Sequence, residues 1–422
     1  MRTILKSVGP LAQLPWKRWA PSLLISGLSC FGFGGALQAG EIRAERGAAS
    51  LGSLVNGGSA CLQGHCAISG GTRSGSNLFH RFSHFDTRGS ITGVSLQNGS
   101  ASAVVLGVTN PLGMFLDKTL SLQNPASLFV LSPGGVHLGG GAGFINAPQL
   151  QLSTATGLRV GQSWFDVANT SATTAAGLSG ALSASALNLS TNPASLSQLK
   201  RDGNGDIVLQ GGLLTIDQDL FLDSQAGDVV LDQVALRSEG GTVRAQGQSV
   251  RLTDTQIDVS SSAASGGAVD LLGGSVVVDG ATQIRADGSN QAGAIRIGGD
   301  AKGANPEIRT ASTTFLGDDV VISANGLDQG DGGRIIVWSD DNTAMLARLE
   351  AQGGANGGDG GFIETSSAGV ISFGDVVPST YAPLGESGTW LLDPLELIIC
   401  DSCAPLVDTP VEISLDGETV VF

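Results

Sequence analysis

Apolar residues come in short runs along this chain, each cut within a few residues by Gly, Asn, Asp or Ser. Ile91-Thr92-Gly93-Val94-Ser95-Leu96 alternates apolar with small or polar positions, the period-two pattern of a half-buried strand. Val104 to Val108 is almost continuously apolar. Asn110-Pro111-Leu112-Gly113 then reads as a turn, with Pro presetting φ and Gly following. Leu120 to Gln123 and Leu128 to Leu131 are further short strands, and a Ser132-Pro133-Gly134-Gly135 turn leads into Val136 to Leu138. This succession predicts an all-β chain with many turns.

Beyond residue 204 the pattern repeats. Gly205-Asp206-Ile207-Val208-Leu209 returns 22 residues later as Gly227-Asp228-Val229-Val230-Leu231. Gly241-Thr242-Val243-Arg244 returns as Gly267-Ala268-Val269-Asp270, Gly293-Ala294-Ile295-Arg296, Gly333-Arg334-Ile335-Ile336 and Gly361-Phe362-Ile363-Glu364, at steps of 26, 26, 40 and 28. Irregular periods of this size predict a solenoid with two or three short strands per unit, each Val, Ile or Leu above its equivalent one rung below. Gly and Asn are expected at corners that need positive φ. A β-sandwich need not repeat one Gly-led phrase five times, so the expected fold is a right-handed parallel β-helix. Residues 168–204, rich in Ala, Ser and Thr, read as an excursion from it. One short helix is expected at its end, with Asn192 as cap, Pro193 in the first position, and Leu196 and Leu199 sharing a face.

Composition narrows the function classes. Gly is 63 of 422 residues, about double the usual share, without a Gly-X-Y period. The net charge is −16, so phosphate backbones are repelled and nucleic-acid binding is not expected. The acids suit solubility outside the cell and weak Ca²⁺ binding. Residues 1–39 carry Arg2, Lys6, Lys17 and Arg18 and no acid, and Ala20 to Ala39 is apolar and small. That reads as a signal peptide cleaved after Ala36 or Ala39. A membrane anchor fits less well, because Pro21 and several glycines break the run. For a lipoprotein, Leu28 stands one position too close to Cys30. In an exported chain two close cysteine pairs, Cys61 with Cys66 and Cys400 with Cys403, read as local disulfides, the first pinning a capping strand.

Several phrases also resemble a known family. Asn77-Leu78-Phe79-His80-Arg81-Phe82, followed by Leu128-Phe129-Val130-Leu131-Ser132-Pro133-Gly134-Gly135, resembles the haemagglutination-activity domain of two-partner secretion exoproteins, the filamentous-haemagglutinin family. That family usually reads Asn-Leu-Phe-His-Ser-Phe and, later, Asn-Pro-Asn-Gly. Here Arg81, Ser132 and Gly134 depart from the pattern. Gly357-Gly358-Asp359-Gly360-Gly361-Phe362 and Gly388-Thr389-Trp390-Leu391-Leu392-Asp393-Pro394 resemble phrases of the family's shaft. The resemblance covers most of residues 70–400. It implies a secretion domain at 40–167 that caps the N-terminal end, and a shaft and tail at 205–422. It also implies recognition by an outer-membrane β-barrel transporter with POTRA domains, through Asn77, Leu78, Phe79, His80, Phe82, Pro133 and Gly135. Secretion or surface display through a Gram-negative-type periplasm follows, with host or cell-surface glycans or proteins as further partners. Relatives are usually much longer, so a truncated exoprotein without activity is an alternative.

No catalytic constellation stands out. There is no Gly-x-Ser-x-Gly elbow, no Walker A Lys and no His-Glu-x-x-His. His80 and His84 are four apart, but the surroundings read as β and argue against a metal pair. Asp318-Asp319 and Asp340-Asp341 read as turn residues, since neighbours in a strand face opposite ways. The expected function is structural or adhesive, with no enzyme activity, cofactor or metal. A polysaccharide-binding or polysaccharide-cleaving β-helix is the alternative, and it would need aromatics and acids lined up on one face.

Overall fold

A computed structural model describes residues 40–182, 199–200, 202–224, 226–374 and 377–394, and the backbone of strands Glu412–Leu415 and Glu418–Val421. The expected signal peptide lies outside the described residues, as does most of the helix expected from Asn192. Leu199, assigned to that helix, instead sits in a short strand opposite Leu158. The disulfide expected between Cys400 and Cys403 is not found among the described residues, because Cys400 and Cys403 both lie outside them. The one disulfide that the described residues contain is the other expected pair, Cys61 with Cys66.

The chain is a parallel β-solenoid with three strands per rung. The first face runs through Ala103–Val108, Ser127–Leu131, Gln149–Ser153, Asp219–Ser224 and the first halves of Thr242–Thr253 and Ala268–Asp279, then on to Thr389–Pro394. The second face includes Val136–Leu138, Ile207–Gln210 and Val229–Asp232, and the third includes Ala235–Arg237, Gln256–Asp258 and Gln283–Arg285. The two repeated phrases belong to different faces: Ile207 stacks on Val229 in the second, Val243 on Val269 in the first.

Inside, equivalent residues form columns. One runs Leu78, Val104, Leu128, Leu150, Leu220, Val243, Val269, Ile295, Ile335, Ile363 and Trp390. All but the half-buried Trp390 are buried in one continuous core. Each such side chain contributes about 1.5–3 kcal/mol, and no rung could bury its own without a neighbour.

The repeated glycines serve close approach rather than positive φ. Gly267, Gly293, Gly333 and Gly361 are absent from the left-handed region. The carbonyl of each glycine accepts an N–H from the residue after the next glycine: the Ala294 N–H donates to Gly267 O at 3.1 Å and the Arg334 N–H to Gly293 O at 3.0 Å. That bond lays the carbonyl oxygen over the next glycine's Cα, where any Cβ would overlap it.

Acids at the corners are also structural. Asp206 Oδ1 accepts the Asp228 N–H at 2.9 Å, and Asp228 Oδ1 accepts that of Ser249 at 3.0 Å. Asp331 and Asp359 hand on in the same way to Asp359 and Glu386, each at 2.8 Å. These charge-assisted bonds satisfy N–H groups that leave the ladders at corners. These four acids therefore join rung to rung.

On the outer side of the first face, Asp270 lies between Arg244 and Arg296 of the neighbouring rungs, with Nε–O distances of 2.7 Å to each. Its side chain is 2% exposed. Asp270→Asn is expected to leave two guanidiniums facing each other and lower stability by about 2 kcal/mol. Urea titration measures it, and an unchanged midpoint would show that the triad is energetically idle.

The N-terminal end is closed by antiparallel strands. We label β1 Glu41–Ala44, β2 Ser53–Val55, β3 Ala60–Cys61, β4 Gly64–Gly70, β5 Thr72–Ser74 and β6 Asn77–Asp86. β1 and β5 run antiparallel to β6, and β2 to β4, covering the edge the first rung would otherwise expose. Cys61 on β3 is joined to Cys66 on β4 by the disulfide, with Cα atoms 5.8 Å apart, as the spacing suggested.

An excursion leaves the solenoid after Gln149–Ser153. It comprises the antiparallel pair Gly157–Val160 and Ser163–Asp166, a single helical turn α1 at Ala172–Ala175, and Leu199–Lys200. The departure begins at Gly157, ahead of the 168–204 stretch marked by composition. Ser171 caps α1 by accepting the Thr174 N–H. The excursion packs on the outer side of the first face, forming a second apolar cluster with Phe79, Val105, Phe129, Leu158, Phe165 and Phe221.

Candidate recognition site on the first rung

β6 carries the Asn-Leu-Phe-His phrase, and strand alternation divides it in two. Leu78, His80 and Phe82 point inward, while Asn77, Phe79 and Arg81 point at the excursion. All six are buried.

On the inner side, Leu78 and Phe82 join the main core, and Phe82 meets Phe85 edge-on at 5.2 Å. His80 Nδ1 lies 3.0 Å from Ser53 Oγ on β2, which ties the cap to the rung. Gly71 passes so close that a Cβ there would sit 2.7 Å from His80 Cε1. Burial pushes the His80 pKa down from 6.5 to about 4. The neutral ring is therefore what the fold accommodates. A lowered folded value means stability is complete above pH 6.5 and is lost as pH falls toward 4, by about 3 kcal/mol in total. His80→Gln is expected to remove that component. Urea midpoints at pH 7.5 and 4.5 should fall less in the variant than in the parent, and parallel falls would exclude His80 as the cause.

On the outer side, Asn77 Nδ2 donates to the carbonyls of Leu178 at 3.0 Å and Gly180 at 2.7 Å. Phe79 stacks on Phe165 with ring centroids 5.1 Å apart. The Arg81 guanidinium donates to the Ala49 carbonyl at 2.6 Å and the Asp166 carbonyl at 2.9 Å, and lies 5.8 Å from the Phe165 centroid. Burial holds its pKa below the ordinary arginine value, opposed by the charges of Glu45 and Asp166. Arg81 thus joins cap, first rung and excursion. The resemblance did not mark it, because the family has Ser there. The polar–apolar–polar order Asn77, Phe79, Arg81 was the available signal for a second buried face.

The Ser132–Gly135 turn lies two rungs away. Gly135 N–H donates to Ser132 O at 2.9 Å, and its φ of +118° accounts for glycine. The turn stacks on Asn110–Gly113, where the Gly113 N–H closes the same bond to Asn110 O at 2.9 Å. Gly134 passes against the Pro111 carbonyl, and a Cβ there would overlap it, so the departure from Asn-Pro-Asn-Gly has a packing reason. The Pro133 carbonyl accepts the Gly205 N–H at 3.0 Å. Phrase and turn are thus both built into the rungs, with Ala103–Val108 between them. They do not converge on one surface.

No family model matches the chain, and no curated protein matches it. Among solved structures it is similar to the HMW1 secretion domain from Haemophilus influenzae, with 18% identity, a TM-score of 0.44, and coverage of 85% of this chain and 99% of that one. No residue role transfers at that level.

Among the described residues the remaining candidates do not assemble a reaction centre. His84 is exposed, whereas His80 is fully buried. Asp318 and Asp319 are exposed beside Gly317 at a corner, and Asp340 accepts from Trp338 Nε1 at 3.0 Å and Thr310 Oγ1 at 2.7 Å. Trp338 is buried and packs against Gly299 and Gly303, while Trp390 Nε1 donates to Thr365 Oγ1 at 2.9 Å. Phe115 and His137 stack face to face at 4.6 Å, with Arg88 over Phe115 at 3.8 Å. Their faces are spent on each other, which leaves no flat aromatic platform for a sugar ring there.

Proposed function

We propose that this chain is an exoprotein of two-partner secretion, exported through an outer-membrane β-barrel transporter with POTRA domains and then structural or adhesive, without enzyme activity, at or beyond the cell surface. The observation that carries the reading is the burial of the whole β6 phrase. The β6 residues that a transporter would recognise, Asn77, Leu78, Phe79, His80 and Phe82, are among those that close the first rung. A chain read before that rung closes and folded after it has passed would use the same residues twice. Antiparallel strands cap the N-terminal end, so rungs add in one direction, each burying apolar area as it docks. Such stacking favours outward movement.

The test is location. The full chain is expressed with and without a partner transporter, and medium and surface are assayed against periplasm. Transporter-dependent release is expected. Replacing Pro133 and Gly135 together is expected to cut it severely. Periplasmic retention under both conditions would refute the reading.

Polysaccharide binding is a second reading with one observation in its favour. An open groove of about 770 Å³ runs along the glycine ladder past Thr242, Gln291, Arg334 and Phe362. Incubation with acidic polysaccharides, followed by assays for binding and chain cleavage, tests it.

A further inference from the structure

Among the described residues, Asn77, Phe79 and Arg81 on the outward half of β6 all meet the segment from Gly157 to Gly180, and Arg81 is held as well by the Ala49 carbonyl of the cap. That cover is unevenly matched to what lies beneath. It brings the Phe165 ring to Phe79 and the carbonyls of Asp166, Leu178 and Gly180 to Arg81 and Asn77. Yet buried polar atoms of the same layer have no hydrogen-bond partner among the described residues: Asn77 Oδ1, Arg81 Nε, and both amide atoms of Gln151. Gln151 is fully buried and stands in register between Phe129 and Phe221, amid the apolar cluster. Orphaned polar groups are costly under an apolar cover, so they weaken this contact relative to the ladders beneath it. The cover itself is a small sheet, the pair Gly157–Val160 and Ser163–Asp166 with the two residues Leu199–Lys200 added at its edge, and one helical turn, and its apolar side chains pack into the cluster beneath it.

We infer that this segment is a displaceable clasp, and that the outward half of β6 is a binding surface for a polypeptide segment offering what the clasp offers. Such a partner brings an aromatic ring to Phe79 and backbone carbonyls to Asn77 and Arg81. The partner role rests on the export reading above, while the displaceable clasp does not.

Hydrogen exchange on the purified full chain tests the clasp. Amides of Gly157–Val160 and Ser163–Asp166 are expected to exchange at least about tenfold faster than those of Ala103–Val108, by local opening. Gln151→Leu should slow them at least about tenfold while leaving Ala268–Asp279 unchanged, and Gln151→Met repeats the test should the first variant misfold. Exchange of the clasp in step with Ala103–Val108, or no slowing in the variants, would overturn the clasp. Transporter-dependent release tests the partner role. With the parent released, several-fold weaker release of a slowed variant supports the binding surface, and equal release overturns it. No release of any chain, with exchange as expected, overturns the export reading and the partner role while the clasp stands.

Discussion

Gly293→Ala is expected to break the shaft, lowering the urea midpoint of its middle rungs by the equivalent of about 4 kcal/mol or more. Backbone conformation alone predicts the opposite sign. Gly293 lies outside the left-handed region, and Gly to Ala at a compatible φ ordinarily stabilises by about 0.4–1 kcal/mol through the unfolded state. Here the carbonyl of Gly267 occupies the space of the new methyl. Relief would require the two rungs to separate, which would break the ladder from Ala268–Asp279 to Ala294–Ile297. No flexible side chain is available to yield, and close-packed interiors do not absorb such a shift. Gly143→Ala is the control, since the nearest atom to its Cβ would be Thr119 Oγ1 at 3.4 Å. Equal midpoints for the two variants would refute the close-approach account of the glycine ladder.

Arg81→Ser, which writes the resembled family's own residue into this chain, is expected to cost about 3 kcal/mol in the N-terminal rungs. The carbonyls of Ala49 and Asp166 lose charge-assisted donors, and a void opens beside Phe165. Each orphaned carbonyl costs about 1–3 kcal/mol, partly offset because the buried guanidinium no longer has to be desolvated. The loss should show as faster hydrogen exchange in both the cap and the excursion, because Arg81 bonds to each. Loss of protection in only one of them would mean that the three-way tie is not what Arg81 supplies.

The shaft was legible because its repeat is physical. Stacked rungs require equivalent residues at equivalent places, and Val243, Val269, Ile295, Ile335 and Ile363 are both the repeated letters and the inner column. The number of faces was not legible, since the Gly205 and Gly241 phrases look alike but stack on different sheets. The expectation of positive φ holds at corners such as Gly240, Gly280 and Asn146, whereas the glycines that open the repeated phrase are required by close approach, which depends on a neighbour 26 residues away. Of the two cysteine pairs read from spacing, Cys61 with Cys66 is bonded, while Cys400 and Cys403 fall outside the described residues. In β6 the resemblance marked the right strand. It could not reveal the outward layer, since Phe165 and Asp166 are joined to Phe79 and Arg81 only by the excursion's return path.

The parallel ladders also set how the molecule meets force. Their hydrogen bonds run along the long axis, so tension on that axis loads one rung boundary at a time rather than a whole sheet in shear. A folded rung adds about 4.8 Å of length. The 26 residues between Gly241 and Gly267, drawn out, span roughly 90 Å. A chain held at a surface and pulled by flow would lengthen in steps, dissipating load rung by rung, while the Cys61–Cys66 link keeps its cap strand clipped to the first rung.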